Sequence, residues 1–225
     1  MAVTIATPRR GGDGLDGGQH AALRPAVFFD KDGTLIEDVP YNVAVDRVRL
    51  APGAERALPA LARAGFALVV VSNQSGVARG FFAEADVRAV GRRLAALFAE
   101  LGARLDGFYW CPHHPEGAVP RYRRECACRK PRPGLLLRAA GDLGLDLRAS
   151  WLVGDILDDI EAGRRAGCRT VLLDIGNETE WRVDARRLPH HVVADLAWAA
   201  GVILAHEPTS APRPVSLVQT SNEVA

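Results

Sequence analysis

Pro25-Ala26-Val27-Phe28-Phe29-Asp30-Lys31-Asp32-Gly33-Thr34 is the stretch on which the fold turns. Its apolar run is too short for a globular helix and stops at an acid followed by a Gly-Thr turn, so it reads as a buried strand. The pattern then returns along the chain. Phe66-Ala-Leu-Val-Val-Val-Ser72 is apolar, β-branched in its middle and closed by a hydroxyl, and Ser150-Trp-Leu-Val-Gly-Asp155 again ends in an acid. Gly107-Phe-Tyr-Trp-Cys111, Thr170-Val-Leu-Leu-Asp174 and His191-Val-Val-Ala194 are shorter versions. Between these runs, Gly53 to Gly65, Ala83 to Leu101, Pro133 to Leu143 and Leu157 to Ala166 read as helices. In the second of them Val87, Val90, Leu94, Leu97, Phe98 and Leu101 recur with a period near 3.6. Uniformly apolar strands that alternate with helices predict an α/β fold, a parallel sheet with both faces covered.

Working outward, 225 residues with 28 Lys plus Arg against 27 Asp plus Glu predict one domain. It is read over 25–205, with a flexible N-terminal extension over 1–24 and a disordered, Pro/Ser/Thr-rich tail over 206–225. A formal net charge of +1 gives no field for nucleic acid or an anionic membrane, and no apolar run approaches the roughly 20 residues of a bilayer helix. Neither nucleic acid nor membrane is therefore expected as a partner, and the chain is expected to be a monomer. Gly-rich polar sequence from Gly11 to Gly18 stands where a secretory leader would be apolar, so the expected compartment is the cytoplasm. Four cysteines there are not expected to form disulfides. The arginines at 121, 123, 124, 129 and 132 could suit a nucleic-acid end, but an Arg-rich composition explains them as well. Only Lys31 and Lys130 are lysines.

In an open parallel sheet ligands bind beyond the carboxyl ends of the strands, which singles out Asp30, Asp32, Ser72, Asn73 and Asp155. Residues 30 and 32 lie two apart in extended chain and share a face; two close carboxylates are costly unless a cation or a shared proton relieves them. Asp30-Lys-Asp32-Gly-Thr34 resembles the Asp-x-Asp-x-Thr signature of the haloacid dehalogenase superfamily of phosphohydrolases. The superfamily's later signatures follow in order, with Ser72 after the second strand, Lys130 before the Pro133 helix and Gly154-Asp155-x-x-x-Asp159. That resemblance implies a Rossmann-like three-layer sandwich. It also implies Asp30 as a nucleophile, Asp32 as acid and base, and Ser72 and Lys130 on the phosphoryl oxygens. Mg²⁺ would be held by Asp30, Asp155 and the Asp32 carbonyl, a donor set that suits a hard ion.

Cys111-Pro-His113 and Cys126-Ala-Cys128 supply three thiols and an imidazole, a full tetrahedral set for zinc, with His114 as a neighbouring competitor and Cys168 better read as a buried apolar residue. Together with Ser72-Asn-Gln-Ser-Gly-Val-Ala-Arg-Gly80, these segments resemble the D-glycero-D-manno-heptose 1,7-bisphosphate phosphatases, with histidinol-phosphate phosphatases as close kin. The resemblance implies a small phosphorylated substrate, a sugar bisphosphate, bound by Asp38, Tyr41, Ser72, Asn73, Gln74, Ser75, Arg129 and Lys130. It further implies no large cap domain, with the zinc loop as a partial lid. One departure is Ile156, where the heptose enzymes carry a lysine. Histidinol phosphate or another small metabolite stays open as the substrate, as does a zinc-stapled binding protein without catalysis, against which the intact acids and Lys130 argue.

Overall fold

The computed structural model describes residues 23–206, so the extension and the tail fall, except at their inner edges, outside the described residues. Six strands form one parallel sheet: β1 Ala26–Phe29, β2 Ala67–Asn73, β3 Gly107–Cys111, β4 Trp151–Gly154, β5 Arg169–Leu173 and β6 His191–Val193. Their spatial order is β3-β2-β1-β4-β5-β6. The chain winds outward from β1 through β2 to β3, then returns to the other side of β1 as β4. That reversal opens a crevice between the loops that leave β1 and β4, the usual ligand position in such a sheet. Register brings the strand ends level, since Phe29 pairs with Val153 on one side and with Val70 on the other.

Helices α1 Ala54–Arg63, α2 Gly76–Arg79, α3 Glu84–Glu100, α4 Gly134–Leu143, α5 Leu157–Ala166 and α6 Leu196–Ala205 complete the layers. Side chains alternate along β1. Val27 and Phe29 pack with Leu58 and Leu61 of α1, Leu94 and Phe98 of α3 and Ile203 of α6. On the opposite face Ala26 and Phe28 meet Leu135 and Leu136 of α4 and Ala162 of α5. All four β1 residues are fully buried, which is why the run carries no polar alternation. Each large apolar side chain so placed contributes roughly 1.5–3 kcal/mol of transfer free energy.

The sheet and its principal helices agree with the sequence reading, and among the described residues no separate cap domain interrupts them. Residues 112–132 are loop apart from one tight turn at Pro120–Tyr122. Two helices are absent from the sequence reading, the one-turn α2 and α6. α6, Leu-Ala-Trp-Ala-Ala-Gly-Val-Ile-Leu-Ala, is apolar on nearly every side and so has no 3.6 period to detect. Its signal lies instead in Asp195, whose carboxylate accepts from Trp198 N at 2.8 Å as an N-cap. α6 lies against α1 so closely that a Cβ at Gly53, which has φ +85°, would meet the backbone of Ala197.

Candidate active site

Asp30 is the first residue beyond β1, and its N–H still donates to Val153 O at 2.9 Å. The sheet ladder therefore fixes its backbone while its carboxyl group emerges at the crevice. Asp155 leaves β4 beside it. Thr34 Oγ1 donates to Asp155 Oδ1 at 2.7 Å and Asn177 Nδ2 to Oδ2 at 2.8 Å, so both carboxylate oxygens are oriented. The turn between Asp32 and Thr34 depends on Gly33. Its φ is +79°, and a Cβ there would run into the Asp155 carboxylate and Asn177.

Lys130 enters from the loop before α4 and is buried. Its ammonium ion-pairs with Asp30, lies 2.6 Å from Asp159 Oδ1 and donates to Val71 O at 3.1 Å. Its backbone is clamped as well, because Asn73 Oδ1 accepts from Lys130 N at 3.0 Å while Asn73 Nδ2 donates to Lys130 O at 3.1 Å. Asp159, fully buried on the first turn of α5, thus holds Lys130 from the far side. A Cβ at Gly154 would strike the Asp159 side chain.

One oxygen each from Asp30, Asp155 and Asp159 can be chosen so that all lie within 4.8 Å of one another. Burial pushes Asp30 up to about 7, with Lys130 opposing and Asp159 and Asp32 reinforcing the shift. Asp155 rises to about 6 through burial and the charge of Asp30. Burial also raises Asp159, against the pull of Lys130. Lys130 stands above the ordinary lysine value: burial disfavours its charge, but Asp159 and Asp30 outweigh that cost. A crowded, buried set of carboxylates with one ammonium is under-neutralised, and its oxygen donors fit a hard divalent cation.

Asp32 points away from this set. Its Oδ2 accepts from Gln74 Nε2 at 2.9 Å, and the same nitrogen donates to Ser72 Oγ at 2.9 Å. Its Oδ1 lies 2.7 Å from the ammonium of Lys31. A cavity of about 280 Å³ opens here, lined by Lys31, Asp32, Asp38, Tyr41, Asn73, Gln74 and Ser75 among others. Asp38 and Tyr41 from one segment and Asn73, Gln74 and Ser75 from the other therefore share one cavity, while Ser72 is buried and bonded to Gln74. Tyr41, at φ +55°, stacks edge-on against Phe81 with ring centroids 4.8 Å apart. Arg129 lies elsewhere, on a second cavity of about 350 Å³ with Lys130, Arg132, Asp158 and Arg165. Its Nη1 is buried without a hydrogen-bond partner among the described residues.

Cys111, at the end of β3, gathers the remaining thiols. Cys128 Sγ lies 3.2 Å from the sulfurs of Cys111 and Cys126, which are 3.5 Å apart, and His113 Nδ1 is 3.4 Å from Cys128 Sγ. Zinc with Zn–S bonds near 2.3 Å would set its sulfurs about 3.8 Å apart, so a small outward shift accommodates the ion. The donor chemistry fits too, three sulfurs and one imidazole nitrogen making a full tetrahedral set for zinc. His114 stands outside the cluster, its Nδ1 accepting from Glu116 N at 3.2 Å. Cys168 is buried beside α5, and burial pushes its thiol up to about 12.

Sequence reasoning assigned no role to Thr34, Asp159, Asn177 or Lys31. Asp159 had a signal, as the last residue of the Gly154-Asp155-x-x-x-Asp159 signature; Asp155 itself lies before α5. Asn177 had none, because it sits in an aperiodic stretch.

A family model described as HAD-hydrolase-like matches residues 127–199. The D-glycero-beta-D-manno-heptose-1,7-bisphosphate 7-phosphatase of Escherichia coli K12 is 44% identical over 149 residues, covering 66% of this chain and 78% of that protein. The protein of the same name from Pasteurella multocida is 39% identical over 177 residues, covering 78% of this chain and 94% of its own length. In three dimensions, the D,D-heptose 1,7-bisphosphate phosphatase from B. bronchiseptica, complexed with magnesium and phosphate, superposes with a TM-score of 0.67. It is 32% identical, and the match covers 81% of this chain and 99% of that one.

Proposed function

The chain belongs to the D-glycero-D-manno-heptose 1,7-bisphosphate 7-phosphatases of the haloacid-dehalogenase-like hydrolases, and from that membership we propose that it hydrolyses the 7-phosphate of a heptose 1,7-bisphosphate through an aspartyl-phosphate. The carrying observation is the division of labour among carboxylates. Asp30 and Asp155 converge with Lys130 at the crevice, whereas Asp32 turns to a separate cavity beside it. A phosphoryl group seated between them meets a nucleophile on one side and an acid on the other.

Asp30 attacks phosphorus, and the bond to the leaving oxygen breaks as Asp32 protonates that oxygen. In the second half Asp32 takes a proton from water, the water oxygen attacks phosphorus, and the bond to Asp30 breaks to restore its carboxylate. Lys130 and Ser72 hold phosphoryl oxygens throughout, the ammonium offsetting charge that would repel an anionic nucleophile. Asp159 keeps Lys130 aimed. Asp30, Asp155 and the Asp32 carbonyl would hold Mg²⁺, which when bound neutralises the transferring phosphoryl group. Cys111, His113, Cys126 and Cys128 would hold a structural Zn²⁺ that orders the loop carrying Arg129 and Lys130. Asp38, Tyr41 and Asn73 to Ser75 line the space for the sugar.

Phosphate release from a panel of small phosphate esters with Mg²⁺ tests the reading. The heptose bisphosphate should give the highest kcat/KM, with ³¹P NMR reporting loss of the 7-phosphate. A higher value for histidinol phosphate would overturn the assignment.

A further inference from the structure

Lys31 occupies a variable position of the Asp-x-Asp signature, and the mechanism above leaves it without work. Its side chain is nevertheless 1% exposed, next to a carboxylate that is 31% exposed. A buried ammonium is costly unless a charged partner compensates it. Lys31 also borders the cavity in which Asp32, Gln74 and Asn73 meet.

The carboxyl group of Asp32 is held from two sides. Lys31 Nζ sits 2.7 Å from Oδ1, and Gln74 Nε2 donates to Oδ2 at 2.9 Å while also donating to Ser72 Oγ. The two supports differ chemically. An ammonium has three donors and no acceptor, so no proton can rest between it and Oδ1. A glutamine amide offers an acceptor as well as donors, and a half-turn about its last bond lets it face either a carboxylate or a carboxylic acid. Oδ2, on the amide side, is therefore the oxygen at which a proton is exchanged with least disturbance of these contacts.

We propose that Lys31 and Gln74 are positioning residues that fix the plane of the Asp32 carboxyl group and commit its transferable proton to Oδ2. The inference rests on the reading of Asp32 as acid and base, and it gives Gln74 a task other than contact with substrate. In the first half-reaction the Oδ2–H bond breaks as the proton passes to the departing alkoxide, whose electron pair comes from the P–O bond. In the second, Oδ2 takes the proton released by the attacking water.

A leaving group that needs no proton separates this role from a merely structural one. Lys31→Met and Lys31→Arg are assayed with Mg²⁺ on heptose 1,7-bisphosphate and on p-nitrophenyl phosphate, beside Asp32→Asn. Displacing an acid from its line of transfer should lower kcat for the sugar ester by about 10- to 100-fold, with KM and the first-turnover burst of p-nitrophenolate, which precedes the base-dependent second half, changing less than about threefold. Lys31→Arg, which keeps a charged donor, should recover most of the sugar-ester rate. Equal losses in the sugar-ester rate and in the p-nitrophenolate burst, or a loss confined to KM, overturn the inference. Should Lys31→Met not fold, Lys31→Gln, which keeps a polar side chain without the charge, carries the same test, with the same split expected and the same outcomes decisive against it. An Asp32→Asn variant in which the sugar-ester rate and the p-nitrophenolate burst fall alike refutes instead the acid–base reading beneath it.

Discussion

Asp30 is held in the crevice by a backbone bond to β4 and by Lys130, so its replacement by asparagine removes the nucleophile and little else. Asp30→Asn should leave no measurable turnover, while Asp32→Asn should cost about 10²–10⁴-fold in kcat on the sugar ester; circular dichroism should show both variants folded. The pH behaviour follows from burial. Asp30 and Asp155 hold protons in the folded chain up to about 7 and about 6, whereas the unfolded chain releases them near 3.8. Protons bound more tightly by the folded state make these two contributions to stability decline as pH rises through that window in the metal-free protein. Mg²⁺ competes for the same oxygens in their deprotonated form. Its increase in Tm should therefore be larger at about pH 8 than at about pH 5.5, and a scan showing the reverse would remove Asp30 and Asp155 as its ligands. Position 156 is a residue-scale matter too. A charge-assisted contact to a second phosphate contributes on the order of 1.5–3 kcal/mol. Ile156→Lys should thus lower KM for the bisphosphate roughly tenfold to a hundredfold and leave histidinol phosphate unchanged.

At the scale of elements, the loop over 112–132 ties the metal ligands and Lys130 to one segment. Its thiols and imidazole meet at the end of β3, and two residues after the last thiol comes Lys130, clamped to β2 through Asn73. Protein purified without chelator should contain one zinc per chain by elemental analysis. Cys126→Ser/Cys128→Ser should lose it, and should lose kcat through a displaced Lys130. The four-ligand set was legible because thiols are scarce and their pairing tight. The acidic pair after β1 was legible because strand-end carboxylates have few structural uses. Asn177 and the Gln74 bridge were not legible, since each works through a contact whose partner lies more than 20 residues away along the chain. The turn at Gly33 joins the two categories. Gly33→Ala combines a positive φ with a collision against Asp155, and should abolish Mg²⁺-dependent turnover while the far-UV spectrum stays native.

For the whole molecule, the uninterrupted apolar runs were enough to predict parallel strands, because only a sheet covered on both faces leaves no position for a polar side chain. The same uniformity hid α6, where an all-round apolar helix offers no period. Burial separates its faces nonetheless. Ile203 is fully buried in the core on the side where α6 packs against α1, while Trp198 is 67% exposed. Ile203→Ala should cost about 2–5 kcal/mol in urea unfolding, and Trp198→Ser should stay within about 0.5 kcal/mol. The crevice has a further consequence, for the order of events in refolding. Thr34 reaches Asp155 across 121 residues and Lys130 reaches Asp30 across 100, so no local fragment of the chain contains a catalytic centre. Long spans of chain must close before either meeting can occur, and such closures are slow compared with helix formation. Enzymatic turnover is accordingly a clock for the last stage of assembly, and it should lag the recovery of helical signal in stopped-flow refolding.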